Sequence, residues 1–188
     1  SVPLGADALA EVQQALSAKQ PPLALRPGQA ELVVLLEAQQ PVVCSFPCGA
    51  GKTFTLVAHA KYLHRTPRDK VLIQITPSAA ASVRLALEAR RLGLPARATG
   101  ERGVAPHRVL VWHSTERVAI VSTTPERLQL DVQLRSAIEA LVREDRAVLY
   151  LDEADMLLEE FRQEAYVACI DFCRRLVAGG LKSLCLMS

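Results

Sequence analysis

An α/β domain, built on a mainly parallel β-sheet with helices on both faces, is the fold class this sequence predicts. Three observations lead to it. Short apolar runs recur along the chain, at Val42–Phe46, Val71–Ile75, Val109–Trp112, Val118–Ser122, Ala147–Leu151 and Leu184–Met187. Helical stretches alternate with them, and the chain's 188 residues, 50% hydrophobic and 22% charged, suffice for one well-packed domain. Uninterrupted apolar strands are those buried on both faces, which is the habit of parallel sheets covered by helices.

Taken in order, Leu9, Val12 and Leu16 share a helical spacing that ends before the turn-like Pro21-Pro22. Residues 1–20 thus read as an N-terminal helix, of this domain or of an upstream segment, and residues 21–188 as one domain. Pro27–Leu36 reads as a helix with proline near its start, where a missing N–H costs little. Thr53–Leu63, Ser78–Leu92, Leu134–Val142 and Met156–Leu176 supply the helices between strands, and Leu134, Ile138 and Leu141 form an apolar stripe on the third of these. The glycine-bearing stretch from Pro95 to His107 reads as a flexible insertion.

Composition excludes collagen-like, low-complexity and disordered classes. The apolar runs are far shorter than a membrane span. The start of the chain lacks the basic residues, apolar run and cleavage site of a secretory leader. Five cysteines (Cys44, Cys48, Cys169, Cys173, Cys185) are an odd number with no disulfide-like spacing. Together these give the expectation of an intracellular domain with reduced thiols, Cys169 and Cys173 packing in the core.

The net charge of +2 is unevenly spread. Residues 61–117 carry 11 Lys/Arg against 4 Asp/Glu, a balance of +7, while residues 118–188 carry 8 against 12, a balance of −4. A basic middle third suits either an anion-binding face or a solvated helix surface.

In a parallel sheet, ligands bind beyond the carboxyl ends of the strands, so the chemistry should follow Phe46, Ile75, Ser122 and Leu151. After the first strand stands Pro47-Cys48-Gly49-Ala50-Gly51-Lys52-Thr53. Its glycines allow a tight turn whose N–H groups face a phosphate, and the following helix adds its N-terminal dipole. Lys52 supplies a positive charge for the β- and γ-phosphates of a nucleoside triphosphate, and the Thr53 hydroxyl suits Mg²⁺. After the fifth strand candidate, Ala147–Leu151, stand Asp152-Glu153-Ala154-Asp155. Asp152 is placed to hold Mg²⁺ through its water shell and Glu153 to deprotonate the attacking water. Lys52, Asp152 and Glu153 are therefore the candidate catalytic residues.

With these motifs the chain resembles the first RecA-like P-loop domain of superfamily 2 helicases, from about Leu25 to Ser188. Asp152–Asp155 spells the motif of the DEAD-box proteins, whereas other stretches are closer to RecQ-type DNA helicases. Leu25-Arg26-Pro27-Gly28-Gln29 is similar to the RecQ adenine-binding motif, which implies that Gln29 reads the adenine edge and Arg26 packs on the base. Thr76-Pro77-Ser78, and Thr124, Pro125 and Arg127 within Thr123–Leu128, resemble the motifs that grip a nucleic-acid backbone. Met156–Phe161 departs from the aromatic-rich RecQ loop and looks more like a DEAD-box continuation. Leu184–Ser188 resembles the strand leading into a Ser-Ala-Thr motif, which implies coupling between Asp155 and Ser188. It also implies that a second RecA-like domain, with an arginine finger, follows in a longer parent chain. An isolated first domain is then expected to be weak or inactive as an ATPase.

The resulting expectation is the ATP- and Mg²⁺-binding domain of a helicase or translocase acting on single-stranded or duplex nucleic acid, DNA in preference to RNA. A DEAD-box-type RNA helicase is the first alternative. A nucleotide-dependent scaffold or assembly subunit without unwinding activity is the second.

Overall fold

The computed structural model describes residues 24–46, 51–65, 69–101, 118–159 and 163–188, together with Ala10 and Gln14, both helical. The strand candidate Val109–Trp112, the rest of the N-terminal helix and the loop residues Pro47–Ala50 lie outside the described residues. Among the described residues no helix is long and apolar enough to cross a membrane.

Among the described residues six strands form one sheet: β1 (Val42–Cys44), β2 (Val71–Ile75), β3 (Ala96–Ala98), β4 (Ile120–Thr123), β5 (Ala147–Leu151) and β6 (Ser183–Met187). Every pairing is parallel and the spatial order is β1-β6-β5-β2-β4-β3. The chain is therefore an α/β domain of the expected kind. The strands that are longest and most apolar in sequence, β2 and β5, are central, and all five residues of each are buried. The edges are the three-residue strands β1 and β3, whose shortness limits edge-to-edge pairing with other chains.

Strand alternation divides the interior into two cores. Leu72, Ile120, Val148 and Tyr150 face a cluster with α1 (Pro27–Glu37), α2 (Lys52–Arg65) and α3 (Ala79–Arg91). Ile73, Ile75, Val121 and Leu149 face the opposite cluster. That second layer comprises α4 (Pro125–Leu130), α5 (Val132–Arg143), α6 (Ala154–Glu159) and α7 (Glu164–Ala178). The stripe Leu134, Ile138 and Leu141 of α5 is buried as its spacing requires. So is the α7 face of Tyr166, Cys169, Phe172, Cys173 and Leu176, which gives both cysteines their core positions. Side-chain caps set the helix starts: the Ser78 hydroxyl accepts from Ala81 N–H at 3.1 Å, and Asp131 Oδ1 from Leu134 N–H at 2.9 Å.

Three elements differ from the sequence expectation. Part of the stretch read as a flexible insertion is the edge strand β3, where buried Ala96 and Ala98 flank half-buried Arg97 in a period of two that is too short to stand out. The long helix read over Met156–Leu176 is two helices, and the second starts from Gln163, whose backbone is extended at φ −81°, ψ 119°. The six residues after Thr124 form the separate helix α4, which packs against α7.

Candidate nucleotide-binding and hydrolysis site

The carboxyl ends of β1, β5 and β6 converge with the start of α2 on an open cavity of about 930 Å³. Its lining includes Phe46, Gly51, Lys52, Thr53, Glu153, Asp155 and Ser188. The parallel topology explains this meeting: β6 lies between β1 and β5, so loops far apart in sequence leave the same edge of the sheet.

Lys52 and Asp152 form the centre. Nζ lies 2.9 Å from Oδ1, the Lys52 side chain 29% exposed and that of Asp152 only 9%. The other carboxylate oxygen, Oδ2, accepts from Gln74 Nε2 at 3.1 Å, and Glu153 N–H donates to Oδ1 at 3.1 Å. A buried carboxylate needs such donors, because an unpaired charge away from water is costly. Glu153 is a non-glycine residue in the left-handed region, at φ 50°. Its half-buried side chain lines the cavity beside Lys52 and Thr53. Backbone strain of this kind is characteristic of functional turns.

Gln29 ties α1 to the phosphate loop. Its Oε1 accepts the Arg26 N–H at 2.9 Å, and its Nε2 donates to the Gly51 carbonyl at 3.2 Å. Gly51 is required twice over: it has φ +87°, and a Cβ there would stand 2.6 Å from Gln29 Nε2. The Gly51 carbonyl also accepts from the Thr55 hydroxyl at 3.0 Å, while Thr53 is exposed. Gln29 is buried and Arg26 exposed. Of the predicted cradle, Gly51, Lys52 and Thr53 line the cavity, and Pro47, Cys48, Gly49 and Ala50 lie outside the described residues.

Beneath the loop, Cys44 Sγ lies 3.5 Å from Cys185 Sγ across β1 and β6. The contact with Cys185 lowers the pKa of the Cys44 thiol, burial opposes this, and Lys52 assists.

The predicted nucleic-acid residues occupy the neighbouring part of the same edge. Thr76 N–H donates to the Thr123 carbonyl at 3.0 Å, joining the ends of β2 and β4. The hydroxyls of Thr76 and Thr124 serve local structure: Thr76 Oγ1 accepts from Ser78 N–H and Thr124 Oγ1 from Arg127 N–H, each at 3.4 Å. Pro77 and Ser78 are half-buried, Pro125 is buried, and Arg127 is exposed. On α3, Arg90 is engaged with Glu101 at 2.6 Å and Arg91 with Glu88 at 2.7 Å, whereas exposed Arg84 lines the cavity. Asp155 and Ser188 line that cavity as well. Ser188 is held by its backbone, which exchanges hydrogen bonds of 3.1 Å with Cys44 and Phe46.

A family model described as DEAD/DEAH box helicase matches residues 26–188. The chain belongs to that family. It is accordingly an ATP-dependent helicase domain, and the DEAD-spelled turn at Asp152–Asp155 lies at the mouth of its cavity. No curated protein sequence gives a match. Among solved structures, the DUF1998 helicase MrfA superposes with a TM-score of 0.67 at 14% identity, over 95% of this chain and 29% of that one. MrfA bound to DNA gives 0.68 at 13%, over 100% and 27%. A hypothetical ATP-dependent RNA helicase from Sulfolobus tokodaii gives 0.61 at 21%, over 95% and 50%. At these identities the likeness is one of fold. This helicase domain spans half or less of each of those chains.

Sequence reasoning missed two members of the site, Gln74 and Ser122. Both stand inside apolar strands, and the polar letter within an otherwise apolar run was the one available signal.

Proposed function

We propose that this domain binds ATP with Mg²⁺ and hydrolyses it to drive movement along, or unwinding of, nucleic acid, with DNA preferred. The observation that carries this reading is the part-buried Lys52–Asp152 contact of 2.9 Å, whose lysine lines a cavity together with Thr53 and Glu153. Lysine, hydroxyl and two adjacent acids are the groups that phosphoryl transfer to water needs.

The donor set fits Mg²⁺. This ion prefers oxygen ligands and keeps several waters, so it uses one or two protein groups plus the phosphates. Thr53 Oγ1 and Asp152 Oδ1 would hold it, and bound there it would neutralise charge developing on the phosphates. Lys52 would exchange its contact with Asp152 for the β- and γ-phosphates. Glu153 would orient the attacking water and take its proton. Gln29 would present its amide to the adenine edge and Arg26 would pack on the base, while Pro47–Gly51 would enclose the phosphates.

Thr76, Pro77, Ser78, Thr124, Pro125 and Arg127 would lie along the nucleic-acid backbone. Exposed Arg127 and the N–H groups at the starts of α3 and α4 are suitable phosphate partners. A second RecA-like domain in a longer parent would complete the cleft, with Asp155 and Ser188 coupling hydrolysis to its movement. The RecQ-like spelling at Arg26–Gln29 and Thr124–Leu128 supports DNA, and one structural neighbour is described as bound to DNA. The DEAD spelling, with a neighbour described as an RNA helicase, supports the RNA alternative.

The test is ATP turnover by the longest chain containing this domain, with no nucleic acid, single-stranded DNA or single-stranded RNA. Stimulation by DNA that Lys52→Ala abolishes is the expected result. Stimulation by RNA alone moves the protein to the RNA reading. Turnover indifferent to both overturns the motor and favours an ATP-dependent scaffold.

A further inference from the structure

Two polar side chains stand where the strand pattern calls for hydrocarbon. Gln74 is 5% exposed and Ser122 is 0% exposed, each in the middle of the sheet. They are direct neighbours across β2 and β4, and Gln74 is likewise paired with Tyr150 across β2 and β5. Asp152, two residues after Tyr150, faces the same side.

The three side chains form one directed line. The Ser122 hydroxyl donates to Gln74 Oε1 at 2.6 Å, and Gln74 Nε2 donates to Asp152 Oδ2 at 3.1 Å. Asp152 Oδ1 then receives Lys52. The orientation of the amide follows from its neighbours, because a carboxylate only accepts and so requires the NH₂ end. Ser122 in turn satisfies the oxygen end and removes the reason for the amide to turn over.

We propose that Gln74 and Ser122 are positioning residues for the metal-binding carboxylate: Gln74 clamps Oδ2 of Asp152, Ser122 fixes the amide, and Oδ1 stays turned toward Lys52, which lines the cavity. The inference rests on the ATP–Mg²⁺ reading of the site. An aspartate side chain rotates broadly about χ2. When Lys52 turns to a phosphate, the clamp on Oδ2 is the side-chain contact that remains to hold the carboxylate plane. Outer groups of this kind commonly govern metal affinity. The line begins at the residue preceding Thr123-Thr124, so a shift at the end of β4 reaches Asp152 through two hydrogen bonds.

The experiment measures binding of an N-methylanthraniloyl-labelled ATP to the 188-residue chain, first in EDTA and then across a Mg²⁺ titration. It compares wild type with Gln74→Met, Ser122→Ala and the double variant. Gln74→Met keeps volume and removes the donor. Its Mg²⁺ concentration for half-maximal gain in affinity is expected to rise about tenfold, with affinity in EDTA unchanged within about twofold. Ser122→Ala is expected to give a smaller rise, and the double variant no more than Gln74→Met alone, because Ser122 acts through Gln74. A merely structural role would instead lower affinity in EDTA and give additive losses. Should Gln74→Met fail to fold, Ser122→Ala carries the same comparison. A Mg²⁺ dependence like that of wild type in the folded variants overturns the clamp. A wild-type chain whose nucleotide affinity ignores Mg²⁺ overturns the ATP–metal reading itself.

Discussion

The two ends of the sheet carry the same chemistry to opposite effect. At the carboxyl end, Lys52 meets Asp152, whose side chain is 9% exposed and whose second oxygen is held by an amide. At the amino end, Lys70 and Lys182 meet Asp145, at 3.4 and 3.2 Å, and its side chain is 41% exposed. Nearby Arg146 bridges Asp69 and Glu144, each at 3.0 Å. The amino-end pairs are redundant and, although Lys70 itself is buried, their carboxylates are part-exposed, so each is worth little to stability. The carboxyl-end pair is single, partly desolvated and faces a cavity, so its lysine has somewhere else to go. Burial and an adjacent opening, rather than the ion pair as such, distinguish a functional contact from a surface one.

The comparison is broken most severely at Asp152. Both its side-chain neighbours, Lys52 and Gln74, donate, so only a carboxylate satisfies them together. Asparagine must turn its NH₂ toward one donor or the other. Asp152→Asn is therefore expected to lower nucleic-acid-stimulated turnover by at least about 10²-fold. It is also expected to cost about 1–2 kcal/mol in urea denaturation, as one buried donor loses its acceptor. Turnover near wild type would show that the pair is structural, like those at the other end.

The same contrast explains what could be read from the sequence. The residues now seen to line the cavity, Gly51–Thr53 with Glu153 and Asp155, could be singled out because they stand in short motifs of consecutive residues directly after apolar strands. The central strands β2 and β5 were legible to the residue, since a strand buried on both faces is nearly all apolar, Gln74 being the exception. Gln74 and Ser122 were not, because their function depends on the register between strands, which no local pattern encodes. Nor were Lys70, Asp145 and Lys182, which the parallel topology brings together from three distant segments. The edge strand β3 escaped notice since three residues with two alanines carry little periodicity.

A smaller effect is expected from Arg146→Ala. Its guanidinium donates to the Asp69 carboxylate at 3.0 Å and, from Nε, to the Asp69 carbonyl at 3.2 Å, tying the entry to β2 to that of β5. Loss of two partly exposed ion pairs, to Asp69 and Glu144, and of one backbone contact should cost about 1 kcal/mol. Affinity for the labelled nucleotide should not move. A change in affinity at constant stability would mean that the two ends of the sheet are coupled, and the contrast drawn above would fail.

The smallest effect is a pH dependence at Asp145. Burial raises its proton affinity somewhat, but the Lys182 and Lys70 ammonium groups outweigh this and leave the folded pKa below the ordinary 3.8. A folded value below the unfolded one means that the unfolded chain binds more protons, so stability from this group rises with pH. The contribution is complete above the unfolded value and disappears as pH falls through the folded one. Asp145 has φ 55°, a conformation asparagine also tolerates, so Asp145→Asn removes the charge without straining the turn. Denaturation at about pH 6 should then separate wild type from Asp145→Asn by about 0.5 kcal/mol or less, an exposed pair's usual worth. As pH falls through the folded value the two should converge, since protonation removes the charge from both. A gap that instead persisted in acid could not come from the ammonium groups, and would assign the role of Asp145 to its backbone turn.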